Sequence, residues 1–126
     1  MVVENMDTTM GFINAVRIGV RIRRKGLMFC GLPCNSHSYM SSSVHQRSES
    51  LPFGNEMTSL VVVGNLLAYR TILLILLAIS RSVAWALENP GGSKCLCLPA
   101  FAKLVEMQNL LRTTTCNWWG LQIEIY

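Results

Sequence analysis

The chain has 126 residues, 51% of them hydrophobic and only 14% charged, with a net charge of +4 and a mean hydropathy of +0.36. That length allows one domain with a modest core. A soluble domain usually carries about 25% charged residues, so a disordered tail, a coiled coil and a charge-rich nucleic-acid arm are excluded as the main identity. A deeply buried domain, a piece of a larger domain and a membrane protein remain.

Residues 7–25 read as a helix, with Asp7 as N-cap and Gly26 just past its end. Ile13, Val16 and Val20 fall on one face and Arg17, Arg21 and Arg24 on another. Residues 16–23 also alternate as a strand would, but the caps fit a longer helical segment. The run LMFCG at 27–31 reads as a buried strand, since strands of a parallel sheet are continuously apolar. Residues 35–56, with seven serines, read as a long loop. A helix over 56–81, capped by Asn55, follows and is apolar nearly all round. Its small residues Gly64, Ala68, Thr71 and Ala78 form a stripe where another element can approach. The run VAWAL at 83–87 is a second short strand, stopped by Pro90 and the glycines after it. A third helix spans 99–112, with Pro99 at its first position. Residues 113–119 give another strand, and the tail LQIEIY alternates as an edge strand would. This alternation of helix and strand predicts an α/β layered fold, partly Rossmann-like, with a short parallel sheet and a long buried helix, all in one domain or domain fragment.

Five of the eleven cationic residues, Arg17, Arg21, Arg23, Arg24 and Lys25, fall within nine positions. Such a cluster either solvates a helix face or holds phosphate, with Arg17, Arg21 and Arg24 as the contacts. No acidic cluster of a calcium or magnesium site is present. The cysteines number five, at 30, 34, 95, 97 and 116. An odd count, an N-terminus without an apolar core and the absence of an Asn-x-Ser/Thr acceptor predict reduced thiols and an intracellular, non-secreted protein. The Cys and His spacings do not match a zinc knuckle, and no metal is expected. The stretch Leu60–Ile79 is long enough to span a bilayer, interrupted by Arg70 and Asn65, so a single-pass membrane protein is the alternative.

Two polar motifs follow the two best strands. Gly31-Leu32-Pro33-Cys34-Asn35-Ser36-His37-Ser38 follows the first, and Glu88-Asn89-Pro90 the second. In a parallel sheet both reach the carboxyl edge, where open α/β folds bind ligands. A cysteine there is a nucleophile if its thiolate is stabilised, and a neighbouring carboxylate can hold a polar ring.

The pair of motifs resembles the cytosine-5 DNA methyltransferases. That family has Pro-Cys after one strand, with Phe-Ser shortly beyond, and Glu-Asn-Val after the next. Pro33-Cys34 and Ser38 match the first motif, with His37 where the family has Phe. Glu88-Asn89 match the second, with Pro90 in place of Val. The resemblance implies Cys34 as the nucleophile toward C6 of a flipped-out cytosine and Glu88 as the anchor at N3. It further implies Ser36, Ser38 and Asn89 as substrate contacts, DNA as partner and S-adenosylmethionine as methyl donor. The Phe-x-Gly-x-Gly cofactor motif and the later Gln-x-Arg-x-Arg motif are missing. The implied identity is therefore a fragment or degenerate relative, inactive alone, that lacks the remainder of its domain. A non-catalytic fragment that binds a partner chain is a further alternative.

Overall fold

A computed structural model describes residues 5–33, 36–38, 42–90, 92–109, 114–118 and 121–125. The first helix, α1, spans Thr9–Gly19, shorter than the 7–25 expected. Its N-cap is Thr8, whose hydroxyl accepts from the Gly11 amide, and not Asp7. The helix stops early because the chain is captured by tertiary bonds. The Lys25 amide donates to Ser82 O and the Ala84 amide to Gly26 O, both at 2.9 Å. Arg21 and Arg24 thus leave the helix and share no helical face with Arg17.

Strand β1 (Leu27–Gly31) sits where its apolar run predicts. Four residues of the serine-rich segment form a short helix, α2 (Ser42–His45). The long helix α3 spans Ser59–Ser80. Asn55 caps a turn ahead of it, its Oδ1 accepting from the Met57 amide, and Thr58 takes the N-cap position. Val61, Gly64, Ala68, Thr71, Ile72, Ile75 and Ala78 are buried along α3, at the three- and four-residue spacing of one helix face. The small residues of this stripe do admit a neighbour. A Cβ on Gly64 would stand 2.0 Å from Ser36 Oγ. Arg70, in mid-helix, donates to the carbonyls of Met6 and Thr8 and lies over the Phe12 ring, fastening α3 to the start of α1.

Strand β2 (Ala84–Pro90) runs parallel to β1, with Leu27 opposite Ala84 and Gly31 opposite Glu88. A 3-10 turn (Cys95–Cys97) leads into α4 (Pro99–Asn109). Residues 110–112 of the expected third helix lie outside the described residues. The last strands are β3 (Thr114–Trp118) and β4 (Leu121–Ile125).

The strand order is β1-β2-β4-β3, with β4 antiparallel to both its neighbours. The tail is therefore not the edge strand its alternation predicts. It inserts between β2 and β3, and β3 takes the edge. Alternation reports one apolar face, and an interior antiparallel strand shows it as readily as an edge strand. The result is a small α/β fold with one parallel strand pair.

The core forms where Trp85 and Leu87 of β2 meet Ala68, Ile72, Ile75 and Ala78 of α3 and Phe101 and Leu104 of α4. Leu27 and Phe29 are 61% and 58% exposed, on the side of β1 away from this core. On α3, Leu60, Val62, Leu66, Tyr69, Leu73 and Leu76 are exposed as well. The chain thus presents apolar surface on two sides.

Candidate active site

The parallel pairing of β1 and β2 carries the loops that follow both strands to the carboxyl edge of the sheet, with Glu88-Asn89-Pro90 inside β2, paired to β4, and not after a strand ending at 87 as expected. The loops touch there. The Lys94 amide, beyond β2, donates to the carbonyl of His37, beyond β1, at 2.9 Å. Glu88 is half-buried beside Gly31, and a Cβ built on Gly31 would lie 3.8 Å from its Oε2. Asn89, the next residue, turns to the helix side with Trp85 and Leu87, because successive strand residues alternate in direction. Asn89 is buried, and its amide has no hydrogen-bond partner among the described residues.

Cys34 lies outside the described residues, as does Asn35. The next three residues are placed. Ser36 and His37 are buried and Ser38 is half-buried. The Ser36 carbonyl accepts from Arg47 Nε at 2.7 Å, and its hydroxyl lies 3.3 Å from Arg47 Nη2. The His37 ring meets Gly64 O through Nε2 at 3.3 Å. Burial, reinforced by the Arg47 charge, lowers the His37 pKa to about 4, so the ring is neutral near pH 7.

Arg47 is the residue that sequence reading missed. It sits in a polar, serine-rich segment, where a cation reads as solvated. The structure buries it, and Asn65 of α3 is buried with it. One sequence signal pointed that way: Asn65 and Gly64 break an otherwise apolar helix at adjacent positions.

Burial raises the Cys30 pKa to about 11 and the Cys95 pKa to about 12, so both stay protonated and unreactive near neutrality. No group of three or more His, Cys, Asp or Glu capable of holding a metal exists among the described residues.

Arg21, Arg23, Arg24 and Lys25 are exposed at the opposite, amino edge of the sheet. A five-residue strand separates them from Glu88 by about 13 Å along its axis. Arg21 and Arg24 therefore do not line the carboxyl edge with Glu88.

No known protein family, curated protein or solved structure matches this chain.

Proposed function

We propose that this chain is a fragment or degenerate relative of an S-adenosylmethionine-dependent cytosine-5 methyltransferase domain with a partial Rossmann-like fold. The observation that supports the reading is the meeting of the chain beyond β1 with the chain beyond β2, through the Lys94–His37 backbone bond, at the sheet edge where Glu88 also lies. In this reading the Cys34 thiolate adds to C6 of a flipped cytosine while Glu88 holds the ring at N3, and a proton from water completes C5. The chemistry needs the base out of the stack, so DNA is the partner.

The residues present do not fit S-adenosylmethionine. The segment ahead of β1, where the family has its glycine-rich cofactor motif, is a cationic turn, Arg23-Arg24-Lys25, tied to Ser82. The chain alone is therefore inactive in methyl transfer, and the step left to it in this reading is reversible covalent capture of a base. The test is an oligonucleotide bearing 2-pyrimidinone, a base that accepts a thiolate at C6 more readily than cytosine does. Intact mass should show a one-to-one adduct that Cys34→Ser abolishes and Glu88→Gln slows. Wild-type protein that forms no adduct overturns the reading.

A second reading rests on the outward face of α3, which exposes Val62, Leu66, Tyr69, Leu73 and Leu76. Such a stripe fits a partner chain, or the remainder of the domain, seated on it. The same helix has 22 residues and a mean hydropathy of 2.2, enough to cross a bilayer, although 44% of that window is buried inside the fold. A stable monomer on size exclusion removes the partner. Release by alkaline carbonate removes the membrane span.

A further inference from the structure

A cavity of about 820 Å³ lies between α1, β1 and α3, and neither Glu88 nor Asn89 lines it. Small-molecule sites run from about 300 to 1,000 Å³. Every residue from Leu27 to Pro33 lines the cavity, because β1 is an edge strand paired only with β2 among the described residues. Six steps of strand make that wall about 20 Å long. Ala15 and Ile18 of α1 and Val63, Leu67 and Leu74 of α3 close the others. The walls are apolar, yet Leu27, Phe29 and Val63 remain exposed, and apolar surface left against water favours an apolar occupant.

The two ends differ in charge. Ile22 and Leu27 line one end, and Arg21, Arg23, Arg24 and Lys25 flank them in the chain, exposed and in neither salt bridge among the described residues. The turn that carries these cations is fixed. The Gly26 amide donates to Arg23 O and the Lys25 amide to Ser82 O, both at 2.9 Å. A Cβ on Gly26 would stand 2.7 Å from Ile22 Cγ2, so the turn folds back onto a lining residue. Asp7, a lining carboxylate, stands before the other end of α1, whose eleven residues span about 16 Å.

A long apolar channel with cations at one end and an acid toward the other matches a single-tailed anionic amphiphile. A nucleic acid would use the cations and leave the apolar walls bare. A neutral lipid would do the reverse. We infer that the cavity binds a free long-chain carboxylic acid, its tail along β1 and its carboxylate at the Arg23–Lys25 turn. This binding is independent of base capture at the carboxyl edge.

The test is a titration of the full chain with cis-parinaric acid, a long-chain acid whose fluorescence rises in apolar surroundings, kept below its micelle concentration. Binding should saturate at one ligand per chain. The methyl ester, with the same tail and no charge, should bind about tenfold more weakly. Arg23→Gln with Arg24→Gln and Lys25→Gln should bring the acid down to the ester's affinity and leave the ester within about twofold. Ala15→Leu, which adds bulk at a buried lining residue, should weaken both ligands about tenfold. The charge variant, altered only at exposed positions, decides the matter if Ala15→Leu does not fold. No saturable binding, equal affinity for acid and ester, or acid binding unmoved in the charge variant or in folded Ala15→Leu overturns the inference. Binding to phosphatidylglycerol vesicles without binding of the free acid also overturns it, and would assign the cations to a membrane surface.

Discussion

The two ends of the sheet are built on opposite principles. At the carboxyl edge, polar residues are buried and held by hydrogen bonds: Arg47, Asn65, Ser36 and His37 close a serine-rich segment onto α3. At the amino edge, Arg21, Arg23, Arg24 and Lys25 stand exposed, and neither salt bridge among the described residues involves them. Four of the chain's eleven cationic side chains stand at the solvated end, yet Arg47, the arginine that is buried among the described residues, organises the other. Charge density therefore marks where a polyanion can be attracted, and desolvated charge marks where geometry is fixed.

Substitutions should expose this asymmetry, beginning with Arg47→Met. That change leaves the Ser36, Pro52 and Val61 carbonyls and the Asn65 amide without their donor in a buried setting. At about 1–3 kcal/mol for each buried group left unsatisfied, a loss of about 4 kcal/mol in urea unfolding is expected after partial relaxation. A loss under about 1 kcal/mol would show that water replaces the fork readily.

Acid should act at the same end. The folded His37 pKa of about 4 lies below the unfolded value of 6.5, so the unfolded chain takes up its proton first. Its contribution is intact above pH 6.5 and is lost as pH falls toward 4, by about 3 kcal/mol in all. Thermal melts across that range should show the loss, and His37→Phe should flatten it. Equal acid sensitivity in the Phe variant would assign the effect to another group.

Gly64→Ala tests the close approach itself. The new Cβ meets Ser36 Oγ at 2.0 Å, so the turn must retreat, at about 1–3 kcal/mol by analogy with overpacked cores. An unchanged melting temperature would show that the turn has room to give.

The smallest effect on stability belongs to the amino edge. Arg21→Gln with Arg24→Gln should change unfolding free energy by less than about 0.5 kcal/mol. If that edge meets phosphates, the same variant should weaken duplex binding and flatten its salt dependence by about two units of log–log slope. An unchanged slope would leave the cluster as a solvated face.

These contrasts were only partly legible in the residues. The strand at 27–31, the apolar start of the strand read at 83–87, the long helix and α4 follow from local patterns: apolar runs, the unbroken apolar stretch and Pro99; the continuation of β2 through Glu88-Asn89-Pro90 comes from its pairing with β4. The loop of seven serines read as one open connection because composition reports polarity and not partners. Only folding shows that Arg47 and Asn65, eighteen positions apart, meet at 2.8 Å.

The sequence by itself determined the order of the main elements, the stripe of small residues on α3 and the placing of the Pro33-Cys34 motif after a strand, whereas Glu88-Asn89-Pro90 proved to be the end of β2. These depend on neighbours within a turn or two of chain. Tertiary structure decided the rest. It ended α1 at Gly19 through the bonds of Lys25 and Gly26 to the start of β2. It reversed β4 into the middle of the sheet, which alternation cannot foretell, and it withdrew one arginine from water to fix a turn. Each of these joins groups remote in sequence, and a buried polar group gains its stability only when such a partner arrives.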